Sequence, residues 1–311
     1  MSSLRVDYSI VPKDTLVLVT GVTGFLGSHV ALQTLEAGFR VRGTVRSSKK
    51  GAWIKQLLQE KYGQDRYEEA IVEDMSAEEA FDNAVKASVM TFSPDPHDVI
   101  PQSIAGAVNC LHSAAKESSV KRFVFTSSSM AAVWPVPDKE LVITKDTYNE
   151  DGVKQAWKPP PYEVSSPSRE LYRSTEINRK PADESLPLMG RILSPEHQGR
   201  PSTSANPIAA FEGKMDLPLS VPPQWYIDAE DAALLHVAAL TRPDAVGERV
   251  FGFAKPFNWN DVLGIYRKLY PNKKFPEDTE GLGRDIMKIP NERAEQMLKD
   301  MGMGGWTSLE D

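Results

Sequence analysis

At 311 residues, with 41 % apolar and 25 % charged side chains, the chain has the make-up of a soluble globular protein and is long enough for one large α/β domain with a smaller lobe. Its 43 acidic and 36 basic side chains leave a net charge of −7, which excludes a broad basic surface for nucleic acid, so any bound anion must be held by a local site. The lone Cys110 excludes an intrachain disulfide, the polar first residues show no secretory leader, and no run of roughly 18 apolar residues predicts a membrane span, so the expected setting is cytoplasmic.

In chain order, "TLVLVTG" predicts a short apolar strand ending in Gly21. "SHVALQTLEAGF" predicts a helix closed by Gly38, and "RVRGTVR" a second strand; the three form one βαβ unit. A helix in "GAWIKQLLQEKYG", a strand in "EEAIVED" and a capped helix in "SAEEAFDNAVK" repeat the alternation. "VIPQSIAGAVNCLHSAAKE" then predicts a long buried helix that keeps Cys110 in its packed face, and "KRFVFTSSS" another core strand. This order of elements predicts an α/β fold with a Rossmann-type doubly wound parallel sheet. The sheet domain is expected over residues 1–190, with a surface excursion at 138–168 rich in Pro, Lys and Asp. Residues 191–311 are expected to form a small mixed α+β lobe covering the mouth of the sheet. There "RILSPEHQGRPSTSANP" is a turn-rich loop, Asp228 caps a helix in "QWYIDAEDAALLHVAAL", and "FNWNDVLGIYRKLYP" is another capped helix.

Gly21, Gly24 and Gly27 in "VTGVTGFLGSH" fall between the first predicted strand and helix, where missing side chains let the backbone turn tightly and approach a pyrophosphate. The second strand ends in Arg46, followed by Ser47, Ser48, Lys49 and Lys50. Cations there suit the 2′-phosphate of NADP, although a solvated basic loop has the same composition. Asp74 is placed either to accept from an adenine amino group or to cap the helix that begins near Ser76. Ser127, Ser128 and Ser129 end a predicted strand at the carboxyl edge of the sheet, where a hydroxyl can meet a substrate carbonyl and where serines also form ordinary turns. The five histidines share no metal-ligand spacing, so no metal is implied.

"LVLVTGVTGFLGSHV", "VRGTVR", "KRFVFTSSS", "LYRS" and "GRILSPEHQGRPSTS" resemble the extended short-chain dehydrogenase/reductase superfamily, and within it the fungal and yeast NADPH-dependent aldehyde reductases and the plant dihydroflavonol reductases. The resemblance runs along nearly the whole chain. It implies that Gly21, Thr23, Gly24, Phe25, Leu26 and Gly27 hold the pyrophosphate, Arg46 and Lys50 the 2′-phosphate, and Asp74 the adenine. It further implies that Ser128 polarises a carbonyl and Tyr172 donates its proton.

One departure from that family bears on chemistry. A lysine usually follows the catalytic tyrosine by four residues, one helical turn on, where its ammonium favours the phenolate and holds the nicotinamide ribose. Here that position is Glu176; Arg179 is two turns on, Lys180 precedes a proline, and Tyr162 has only Ser166 at the same offset. Two segments are also shorter than in the family, one around Val89 to Phe92 and one between Tyr172 and "GRILSPEHQG". The leading expectation is an NADPH-dependent reductase of a small aldehyde or ketone, in secondary metabolism. Its alternatives are a non-redox cyclase, dehydratase or isomerase on the same scaffold, or a catalytically silent NADP-binding homologue.

Overall fold

Alternate residues of the second strand are apolar on one face, and that face decides how the first half of the chain folds. A computed structural model describes residues 4–6, 9–73, 96–156 and 188–311. In it β1 (Leu16–Val19), α1 (Phe25–Glu36), β2 (Arg40–Val45), α2 (Ser48–Tyr62) and β3 (Tyr67–Ile71) succeed one another. The strands form a parallel sheet in the order β1-β2-β3. Val41 and Val45 of β2 meet Ala31 and Leu35 of α1, Ile54 and Leu58 of α2, and Tyr67 of β3 in one buried cluster. Burying each large aliphatic side chain there contributes on the order of 1.5–3 kcal/mol, which is what holds both helices against the same sheet face. α2 starts where Ser47 accepts from the N–H of Lys50 and stops at Gly63, whose φ is +100°.

α3 (Pro96–Lys116) carries Cys110, whose thiol burial pushes up to about 12, as befits a packed side chain and not a nucleophile. The expected core strand "KRFVFTSSS" is a correction: residues 121–128 form no ladder with any described strand. A parallel strand needs a lateral neighbour, and Val89 to Phe92, the shortened segment before α3, lies outside the described residues. The segment instead leans on the C-terminal half. Arg122 donates to the carbonyl of Arg242 at 3.0 Å, and Thr126 Oγ1 lies 2.6 Å from His236 Nε2.

The chain continues through α4 (Glu150–Ala156), β4 (Leu188–Met189), α5 (Pro195–Gln198), α6 (Ala205–Phe211), α7 (Asp216–Leu219), β5 (Gln224–Asp228), α8 (Ala229–Thr241), β6 (Lys255–Phe257), α9 (Trp259–Leu269) and α10 (Glu292–Asp300). β4 pairs parallel and β6 antiparallel with β5, so the second sheet is mixed. Both predicted caps are present. Asp228 accepts from the N–H of Glu230 at 2.7 Å, and Asn258 with Asp261 forms a reciprocal capping box at the start of α9. α8 is buried along most of its length, and its Ala232 and Leu235 share a core with Phe25 of α1. No helix among the described residues is long and apolar enough to cross a membrane.

Asp231 is the fully buried acid of α8, and it ties down the C-terminal segment by accepting from Thr307 N at 2.7 Å and Thr307 Oγ1 at 3.0 Å. Burial is the largest influence on its carboxyl and pushes it up to about 6. Between roughly pH 4 and 6 the folded chain therefore keeps a proton that the unfolded chain has lost, and stability from this group falls as pH rises through that window. Asp231→Asn is accordingly expected to gain stability relative to the parent between pH 4 and 7, by at most about 3 kcal/mol. Chemical denaturation at both pH values measures the difference; a gap that does not change with pH would refute it.

Candidate functional site

Between β1 and α1 the backbone folds back on itself. Gly21 has φ +62°, donates its N–H to Thr44 Oγ1 on β2 at 3.0 Å, and accepts from the N–H of Gly24 at 2.9 Å. A Cβ on Gly27 would fall inside the van der Waals shell of the Gly21 carbonyl oxygen and 2.8 Å from its carbon, so the first turn of α1 packs directly on the loop. Gly24 is the N-cap residue, with φ −80° and ψ 171°, and has no side chain with which to cap the helix. The leading N–H groups of α1 are thus left for a ligand, at the end of a helix whose dipole favours an anion. Phe25 is buried against His29, with ring centroids 5.7 Å apart, so only its backbone faces the turn; Thr23 and Leu26 are half-buried.

At the end of β2 the basic side chains divide into two kinds. Arg42 pairs with Glu68 at 2.6 Å, whereas Arg46 and Lys50 are exposed and have no ion-pair or side-chain hydrogen-bond partner among the described residues. A cradle that a side chain at position 27 would fill, an uncapped helix start and two unpaired cations fit a dinucleotide bearing a 2′-phosphate.

Ser128, nearly buried, sits just before a single 3₁₀ turn, and its Oγ accepts from the N–H of Met130 at 3.3 Å. Accepting a backbone N–H polarises a hydroxyl as a donor, the role a carbonyl substrate would use. The neighbouring Ser127 hydroxyl is buried with no hydrogen-bond partner among the described residues. Asp74 and Tyr172, with Glu176, lie outside the described residues. The glycine turn and the two cations are therefore placed at one end of β1 and β2, and Ser128 at its turn, while the tyrosine is not placed.

Sequence reasoning passed over Thr44, which anchors the turn, and Gln198 of α5. The Gln198 side-chain amide donates its two N–H groups to the Gly24 carbonyl at 3.1 Å and to Ser28 Oγ at 3.1 Å, with the Thr23 carbonyl a longer, shared acceptor at 3.5 Å. Next to it, the His197 ring stacks on Trp53 of α2, 5.7 Å between centroids and 13° from parallel. Neither residue belongs to a periodic pattern, and the quoted "SPEHQG" was the only signal in the sequence.

The NAD dependent epimerase/dehydratase family matches residues 17–151, from β1 through Ser128 to α4. Aldehyde reductase 2 of Sporidiobolus salmonicolor is 37 % identical over 99 % of this chain and 96 % of its own length, and a ketoreductase of Aspergillus novofumigatus is 30 % identical over 97 % and 95 %. The first of these alignments spans 335 positions, more than the 311 residues of this chain, so the relative carries residues opposite which this chain has gaps. Among solved structures, Gre2 of Candida albicans in complex with NADPH superposes with a TM-score of 0.76 at 21 % identity, covering 95 % of both chains, which is likeness of fold. With a 37 % identical relative matched almost end to end and the family's own pattern lying on the glycine turn, this chain belongs to the NAD-dependent epimerase/dehydratase family.

Proposed function

We propose that the protein is an NADPH-dependent reductase of a small-molecule aldehyde or ketone. The observation that carries this reading is the start of α1 at Gly24 behind a tightly packed glycine turn, beside Arg46 after β2 and Lys50 in the first turn of α2, which have no ion-pair partner among the described residues. Its relatives' names support the choice of carbonyl chemistry, being those of an aldehyde reductase and a ketoreductase, and the Gre2 neighbour holds NADPH. Gly21, Thr23, Gly24, Phe25, Leu26 and Gly27 would hold the pyrophosphate through backbone groups, Arg46 and Lys50 the 2′-phosphate, and Asp74 the adenine. NADPH, when bound, supplies the hydride. The Ser128 hydroxyl donates to the substrate carbonyl oxygen and draws charge onto it, and the Tyr172 phenol delivers the proton to that oxygen. Residues 191–311 would cover the substrate end.

The test is loss of NADPH absorbance against aromatic aldehydes, α-keto esters and polyketide ketones; steady absorbance across the panel with tight NADPH binding would sink the reductase reading. One observation favours a second reading: Glu176 stands where the family has lysine, which suits a non-redox enzyme that keeps the nucleotide. For the cofactor itself, Arg46→Ala is expected to weaken NADPH about tenfold or more while leaving NADH nearly unchanged, since a guanidinium–phosphate contact is charge-assisted and has no counterpart in NADH. Equal losses for the two nucleotides in calorimetry would make Arg46 a mere surface charge.

A further inference from the structure

Two peptide planes decide which groups of the glycine turn face a bound phosphate. A peptide unit is planar, with its carbonyl and N–H pointing opposite ways, so whatever fixes the Gly24 carbonyl also aims the N–H of Phe25. The Gly24 carbonyl accepts from the helix N–H of Ser28 at 3.1 Å and from Gln198 Nε2 at 3.1 Å, so both its lone pairs are used. The Thr23 carbonyl shares a plane with the Gly24 N–H, which itself donates to Gly21; Gln198 reaches that carbonyl as well. The same amide meets Ser28 Oγ, whose hydroxyl donates to the Phe25 carbonyl at 2.9 Å. The other end of Gln198 is held too, because its Oε1 accepts from the N–H of Ser194 at 3.0 Å.

α5 therefore forms a strap, fixed to α2 by His197 on Trp53 and to the turn by Gln198. The two anchors lie over different parts of the nucleotide site: Gln198 at the pyrophosphate turn, His197 on the helix that follows Arg46. Every atom that Gln198 contacts on the turn is an acceptor toward it, and none is an N–H that a phosphate would need.

Resting on the reductase reading above, we propose that Gln198 is a positioning residue for the cofactor. By holding the Thr23 and Gly24 carbonyls away from the site, it keeps the N–H of Phe25 aimed at the pyrophosphate without touching the ligand itself. Leucine at this position keeps the bulk and loses the amide, while glutamate sets a carboxylate against two carbonyl oxygens.

The experiment measures three quantities on the parent, Gln198→Leu and Gln198→Glu: affinity for NADPH, affinity for 2′-AMP, and amide hydrogen exchange of residues 22–26 in the nucleotide-free protein. 2′-AMP carries the adenine and the 2′-phosphate but no pyrophosphate, so it reports on the Arg46, Lys50 and Asp74 end of the site and not on the glycine turn. Expected are NADPH binding about tenfold weaker in Gln198→Leu and weaker still in Gln198→Glu, 2′-AMP within twofold of the parent, and faster exchange across the turn. Turnover at saturating NADPH should stay within twofold, with the loss appearing in the KM for NADPH. Equal weakening of both ligands would overturn the assignment in favour of a general effect of the strap. Unchanged NADPH affinity in both variants would overturn it outright. A parent that binds no NADPH would defeat the reductase reading instead, and the exchange data would then decide alone: unaltered exchange removes Gln198 from the turn, and faster exchange keeps it as the residue that orders it.

Discussion

Gly27→Ala is expected to lower NADPH affinity more than about 100-fold and to cost about 1–3 kcal/mol of stability, the range for forcing an extra carbon into a packed site. The added Cβ would collide with the carbonyl of Gly21 and lie 3.1 Å from that of Thr20, both backbone groups that no rotamer change can move aside. Relief must come from shifting the turn, and the turn is the proposed pyrophosphate site. Gly24→Val offers the control. Its φ of −80° is open to any residue, and its nearest neighbour, the Gly21 carbonyl oxygen, is 3.2 Å from the built Cβ. That variant should stay folded yet lose the nucleotide, because a branched side chain would occupy the space before the uncapped N–H groups. Denaturation and calorimetry on the two variants separate the roles. A Gly27→Ala protein that binds NADPH like the parent would remove this turn from the site.

The glycine turn was legible because its signals are local: a short apolar run, three glycines and the start of a helix within a dozen residues. The same holds for the caps, where Asp228 and the Asn258–Asp261 pair each act within three residues of chain. Arg46 could be named as a cation at a strand end, but its lack of an acidic partner among the described residues emerged only when Glu68 was seen to pair with Arg42. "KRFVFTSSS" reads as a core strand on composition alone, yet strand formation depends on a neighbour supplied from elsewhere in the chain, and the described residues supply none. Leu188–Met189 forms only two residues of strand, parallel to β5, just after Pro187 in the sequence, which has no N–H to offer a ladder. Gln198 was illegible for the opposite reason. Its contact with Gly24 spans 174 residues, and a lone glutamine in a turn-rich loop carries no periodicity that would announce it.

Tyr172→Phe is expected to cut carbonyl reduction by a factor of about 100 or more, the usual contribution of a positioned general acid. At neutral pH a tyrosine already holds its proton, since its unperturbed pKa is about 10. In the reducing direction the phenol can therefore deliver that proton without the family's lysine, and the missing ammonium costs rate instead of abolishing the reaction. Glu176 makes the cost larger. On a shared helix, as the family resemblance implies, a carboxylate at the i, i+4 spacing would oppose the phenolate left after transfer, where a lysine would stabilise it. Glu176→Lys should consequently speed reduction, with the gain in kcat and little change in NADPH affinity, because the proposed Arg46 contact with the 2′-phosphate is untouched. The two variants read the same proton from opposite sides: one deletes the donor, the other lowers the cost of donating. A Tyr172→Phe variant that reduces carbonyls as fast as the parent, with no gain from Glu176→Lys, would take the proton transfer away from Tyr172, whereas no NADPH oxidation by any of the three proteins would withdraw the hydride-transfer role and leave a non-redox or purely binding use of the same scaffold.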